Sequence, residues 1–149
     1  MPQPDHIVKV PLPKDEDLDD DLQAFFAVCT EKLGLVPNVI RAFALKPDKL
    51  RNFNAFYGTL MLDKENCRLS KLEREMIAVV VSSANRCYYC LVAHGRAVRE
   101  LSGDPQLGEM LVMNYRVAEL EPRVRAMLDF AWKLTTTPME IGDDDRQGL

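Results

Sequence analysis

The sequence of 149 residues lacks any long hydrophobic run. Its longest purely apolar stretch, residues 76–81, is far shorter than the ~20 residues of a transmembrane helix, and the N-terminus has no apolar signal-peptide core. Positive charge is not in excess either, because the formal net charge is -4, which argues against nucleic-acid binding. We therefore expect a cytoplasmic protein without membrane or nucleic-acid partners.

Cysteine is also scarce, and no glycine-rich phosphate loop, internal repeat or low-complexity tract is visible. Four cysteines are too few for a disulfide scaffold in a chain of this length; they are Cys29, Cys67, Cys87 and Cys90. Without a secretion signal, we expect their thiols to be reduced. With 47% hydrophobic and 28% charged residues, the composition is typical of a folded domain. The length favours one domain over residues 1–149.

Apolar residues recur at helical spacing after an extended arm over residues 1–16. Ser70 and Glu73 form a capping box, which predicts a helix start. From Asp143 onward the composition is that of a further helix start. We expect this segment to be either a disordered tail or a helix that is cut short. We predict an all-α fold of about seven helices, with no parallel sheet. The first apolar stripe consists of Leu18, Leu22, Phe25, Phe26, Cys29 and Leu33.

One group of residues carries recognisable chemistry. Cys87 and Cys90 form a Cys-x-x-Cys pair, and His94 follows on the same predicted helix face. Cys87 falls in the first turn of the predicted helix, where the peptide dipole lowers its pKa most, whereas His94 is placed to accept the proton of Cys90. Two cysteines at this spacing can form a disulfide, so one can attack and the other resolve. An acid of the preceding helix, Glu73 or Glu75, faces the same spot if the two helices pack antiparallel.

Three other interpretations of the pair follow from the residues alone. The cysteines are core residues of an apolar helix, they are metal ligands, or they belong to a thioredoxin domain. A thioredoxin domain needs a strand before the pair, and the flanking segments here are helical. A structural zinc site needs four ligands, and only Cys87, Cys90 and His94 cluster, with Cys67 or His6 as the fourth. We therefore expect no metal.

The spacing from Glu75 through Cys87 and Cys90 to His94 resembles the signature of the alkylhydroperoxidase D-like proteins. These belong to the carboxymuconolactone decarboxylase superfamily, and the stretch over residues 21–132 is similar to its peroxidase-related branch. The resemblance implies an all-helical fold with the pair at the start of a helix. It also implies a homo-oligomer, which the number of apolar stripes favours as well. The implied activity is a cofactor-free peroxidase that reduces organic or hydrogen peroxides with a thiol or disulfide reductant.

The resemblance further implies a role for each residue of the motif. Cys90 attacks the peroxide and becomes a sulfenic acid, Cys87 resolves it as a disulfide, and Glu75 and His94 relay protons. Tyr89 is a departure, because the best-studied branch has a histidine just before the second cysteine. Members without the cysteine pair are lactone decarboxylases. An enzyme of that branch and a non-enzymatic redox-sensing helical protein are therefore the two alternative functions.

Overall fold

The structure is a computed structural model that describes residues 8–63, 65 and 67–149. His6 and most of the predicted arm's first half lie outside the described residues. Within them the chain is helical and contains no strand, which confirms the all-α prediction. The α-helices are α1 (Asp20–Leu33), α2 (Asn38–Phe43), α3 (Pro47–Tyr57), α4 (Lys71–Ala84), α5 (Tyr88–Ser102), α6 (Leu107–Asn114), α7 (Pro122–Thr136) and α8 (Asp143–Gln147).

Several helix ends lie where the sequence signals predict them. Gly34 ends α1 in the left-handed conformation with φ of 76°, and Pro47 occupies the first turn of α3. At the start of α4 the capping box is complete. The Glu73 N–H donates to Ser70 Oγ at 3.2 Å, and the Ser70 N–H donates to Glu73 Oε2 at 2.7 Å. The predicted helix start at Asp143 is the short helix α8.

The chain divides into two compact units, residues 1–60 and 61–149. The assignment of all 149 residues to one domain stays a prediction. In the first unit, α1, α2 and α3 carry a core of apolar side chains. Cys29 lies within this core at 8% exposure. The buried residues of the core are Leu18, Leu22, Phe26, Cys29, Val36, Ile40, Ala44 and Leu50.

In the second unit α4 is the central helix, and it packs against α5, α6 and α7. Its Ser83 hydroxyl donates to the Val112 carbonyl of α6 at 2.8 Å. The helices α5 and α6 approach closely, because a Cβ at Gly108 would lie 2.7 Å from the Gly95 carbonyl oxygen. No helix of the described residues combines the length and apolar content needed to span a bilayer. The buried residues of this core are Met76, Val79, Val80, Val98, Leu111, Tyr115, Met127 and Leu128.

Candidate active site

The junction between α4 and α5 reverses the chain within three residues. The Cys87 N–H donates to the Ser82 carbonyl at 3.0 Å, and the Arg86 N–H donates to the Ser83 carbonyl at 3.1 Å. These two bonds form a Schellman motif at the end of α4. Arg86 has φ of 54° and occupies the left-handed position that glycine most often takes. The motif places Cys87 directly at the N-terminus of the next helix.

Cys87 and Cys90 are joined as a disulfide at the start of α5. Their Cα atoms are 5.4 Å apart, within the usual range for disulfides. The prediction that this pair can close is confirmed, and so is its place at a helix start. One detail of the prediction was wrong. Cys87 is the N-cap residue just outside the helix, whereas Cys90 is the cysteine in the first turn. The Schellman motif causes the difference, because it keeps Cys87 in extended backbone with ψ of 95°.

Antiparallel packing of α4 and α5 brings Glu75 to His94. Glu75 Oε2 lies 2.6 Å from His94 Nδ1, and the side chains are 7% and 22% exposed. A carboxylate accepts hydrogen bonds only, so the Nδ1 proton of the imidazole is the donor. In the tautomer with one proton, on Nδ1, the free lone pair lies on Nε2, an atom that has no partner among the described residues. His94 follows Cys90 by one helical turn on the same face of α5.

The other candidate acid, Glu73, faces a different neighbour. Its carboxylate pairs with Arg123 of α7 and caps α4 through Ser70. Burial opposes ionisation of Glu73, but the bonds from Arg123 and Ser70 outweigh it and lower the pKa of this carboxyl. Of the two acids that the sequence offered, Glu75 is therefore the one that reaches His94.

The outer side of α5 beside the disulfide is apolar and open in the single chain. Tyr88 is 74% exposed and Val92, one turn further on, is 51% exposed. Tyr89, which stands where the best-studied branch has histidine, is 48% exposed.

The remaining cysteines, Cys29 and Cys67, are both free thiols. Burial raises the pKa of Cys29, which makes it a weaker nucleophile at neutral pH. Among the described residues, no group of three or more His, Cys, Asp or Glu side chains is placed to hold a metal ion. The expectation of a metal-free protein stays a prediction.

Sequence reasoning missed the backbone that positions the pair. Ser82 and Ser83 contribute through carbonyls and a hydroxyl, which residue type alone does not reveal. Nothing in the sequence marks Arg86 as a left-handed residue, because arginine gives no signal for that conformation. A glycine at this position would have indicated the helix end.

Comparison with known proteins decides the family. Residues 47–132 match the model of the carboxymuconolactone decarboxylase family. The chain belongs to this family. The prediction from the Glu75, Cys87, Cys90 and His94 spacing is therefore confirmed. No curated protein sequence matches the chain at a significant level.

Two solved structures extend the family assignment over nearly the whole chain. The first is an uncharacterized peroxidase-related protein from Silicibacter sp. TM1040, 58% identical with a TM-score of 0.87. That alignment covers 99% of this chain and 76% of the other. The second, described as an alkylhydroperoxidase AhpD core from Ralstonia eutropha JMP134, is 40% identical with a TM-score of 0.85. It covers 97% of this chain and 75% of the other.

Proposed function

We propose that this family member is a cofactor-free thiol peroxidase that reduces organic or hydrogen peroxides. The observation that carries the proposal is the Cys87–Cys90 disulfide at the start of α5, with His94 one turn after Cys90 and bound to the buried Glu75 of α4. A dithiol that closes at a helix start is suited to two-electron redox chemistry. The peroxidase-related descriptions of the similar structures support the same class of reaction.

The proposed cycle has three balanced steps. The Cys90 thiolate attacks one peroxide oxygen, the O–O bond breaks, and a proton completes the departing alcohol or water, leaving Cys90 as a sulfenic acid. The Cys87 thiolate then attacks the Cys90 sulfur, and hydroxide leaves as water to give the disulfide. A dithiol reductant finally restores both thiols and becomes a disulfide itself. In the cytoplasm, where we expect this chain, such reductants are present.

Glu75 and His94 serve as the proton relay in this proposal. His94 Nε2 takes the Cys90 proton, and the carboxylate of Glu75 stabilises the imidazolium that results. The burial of Glu75 supports this role, because a carboxylate that is 7% exposed needs a hydrogen-bonding or charged partner. The choice of Cys90 as the peroxide-reactive thiol rests on its register, since His94 lies one turn away.

We also propose that the protein functions as a homo-oligomer. The exposed apolar side chains of Tyr88 and Val92 on α5 support association, because association would remove them from water. Light scattering should give a mass of at least twice the 16.9 kDa of the chain. A monomer at micromolar concentration would contradict this part of the proposal.

The test of the function is peroxide consumption with dithiothreitol as the generic dithiol. The wild-type protein should turn over, whereas Cys90→Ser, which lacks the peroxide-reactive thiol, should lose at least about 99% of the rate. Cys29→Ala is the matched control and should keep the wild-type rate. Consumption of one equivalent of peroxide per chain, with no further turnover in the presence of dithiothreitol, would favour the redox-sensing alternative. Hydrolysis or decarboxylation of a lactone by Cys90→Ser would favour the lactone branch instead.

A further inference from the structure

Arg86 stands in a backbone conformation that is unfavourable for its residue type. With φ of 54° it occupies the left-handed position of the Schellman motif, where the Cβ of any residue but glycine crowds the backbone. Asparagine is the other residue that adopts this conformation readily. The backbone therefore gives no reason for an arginine here, so we consider what its side chain could contribute.

The side chain of Arg86 is exposed and engages no other group among the described residues. It differs in this from the other charged side chains of α4, α5 and α6, which are held in bonds of their own, except for Lys71 at the far end of α4. Glu75 binds His94, and Glu73 binds Arg123. The remaining engaged pairs on α5 and α6 are Arg96 with Glu100 and Arg99 with Glu109.

Cys87 follows this arginine directly in the sequence. It is also the N-cap residue of α5, where the helix dipole favours a negative charge. The two effects act in the same direction, because both favour the thiolate over the thiol. A Cys87 thiolate is the species that the resolving step of the proposed function requires.

We propose that Arg86 is a positioning residue of the redox pair that keeps Cys87 as a thiolate for attack on oxidised Cys90. This inference rests on the proposed function, because it assigns Cys87 the resolving step. In this proposal, the positive charge beside the redox pair offsets the conformational free energy of holding an arginine in the left-handed region. Guanidinium is suited to the task, since it stays protonated at every pH at which a thiol titrates.

The test separates the charge of Arg86 from its backbone. Arg86→Gly and Arg86→Asn remove the charge and suit the left-handed conformation, whereas Arg86→Lys keeps the charge. In the reduced protein, iodoacetamide alkylation of Cys87 is followed against pH by peptide mass spectrometry. Glycine and asparagine should each raise the pKa of the Cys87 thiol by about half a unit or more, and lysine should leave it close to wild type. Arg86→Gly should also raise the melting temperature by about 2–4 °C, because it relieves the backbone.

Two outcomes would overturn the inference. An unchanged Cys87 pKa in both Arg86→Gly and Arg86→Asn would show that the arginine has no electrostatic effect on the thiol. An equal rise of the pKa in Arg86→Lys would show that charge is not the cause. The readout does not depend on peroxide turnover. If the variants shifted the Cys87 pKa but the wild-type protein had no peroxidase activity, the proposed function would be refuted and the effect of Arg86 on Cys87 would stand.

Discussion

The two compact units of this chain use cysteine in opposite ways. Cys29 lies within helix α1 of the first unit, where it is 8% exposed and burial raises its pKa. Cys87 and Cys90 lie at the start of helix α5 in the second unit, partly buried and joined to each other. The three thiols share one intrinsic chemistry, so their place on a helix decides how each one reacts. We therefore expect the thiol within the apolar stripe to be inert and the thiols at the helix N-terminus to be the nucleophiles.

A second comparison within α4 teaches the same lesson for carboxylates. Glu73 and Glu75 are two residues apart, yet they point to different neighbours because successive helical residues turn by about 100°. Glu73 binds Arg123 and caps its own helix, whereas Glu75 reaches His94. We therefore expect Glu73 to contribute to stability and Glu75 to the redox chemistry.

The largest expected effect concerns thiol accessibility in the reduced protein. Iodoacetamide should modify Cys87 or Cys90 at least about 10³-fold faster than Cys29, because alkylation of the buried thiol must await opening of the core. Mass spectrometry of the alkylated peptides after short exposure measures the ratio. If Cys29 reacted as fast as the pair, its burial would not govern its reactivity, and the comparison of the two units would fail.

The next largest effect separates the two acids of α4. Glu75→Gln and His94→Ala should each slow peroxide reduction by at least about tenfold, because a proton relay contributes about 10²–10⁴-fold in rate. Glu73→Gln is the matched control and should change the rate by less than about twofold. Circular dichroism should show an intact helical fold in all three variants. A loss of turnover in Glu73→Gln but not in Glu75→Gln would mean that the wrong carboxylate has been assigned.

The pH dependence of His94→Ala sharpens this assignment. Without the imidazole base, the Cys90 thiolate must form by simple ionisation, and a free thiol has a pKa of about 8.5. The rate of this variant should therefore rise toward the wild-type rate between about pH 7 and pH 9. Stopped-flow measurement of peroxide consumption across this range is the check. A flat deficit at every pH would indicate that His94 acts through structure rather than through the proton.

The smallest expected effect is the contribution of Glu73 to stability. Glu73→Gln should lower the free energy of unfolding by roughly 0.5–1 kcal/mol at neutral pH, because it removes the Arg123 ion pair and weakens the capping box. The folded-state pKa of Glu73 is lowered, so its stabilisation is present above the unfolded pKa near 4.5 and is lost as pH falls below it. Urea denaturation should therefore show a gap at pH 7 that closes toward pH 3. A gap that widened in acid would contradict this account.

Most of the fold was predictable because its signals are local. Apolar periodicity, the capping box at Ser70 and the glycine after α1 act over a few residues, and the structure bears them out. The meeting of Cys87 with Cys90 was predictable for the same reason, since both lie within one turn. The contact between Glu75 and His94 required only one further assumption, the antiparallel packing of two helices joined by a short turn.

The features that could not be predicted depend on tertiary packing. Arg86 adopts the left-handed conformation against the preference of its residue type, as part of the hydrogen-bonded end of α4. The position of Cys87 outside the helix follows from that conformation. The division of the helices into two compact units also has no local signal, because it depends on which apolar stripes share a core.

The most direct test of the central claim is a single-turnover oxidation of the fully reduced protein. One equivalent of hydrogen peroxide is added without reductant, and the thiols are counted by titration and located by peptide mass spectrometry. We predict the loss of two thiols per peroxide, a loss of two hydrogens in the peptide that contains Cys87 and Cys90, and unmodified Cys29. A pair that stayed reduced while Cys29 or Cys67 became oxidised would contradict the claim that this pair reacts with peroxide.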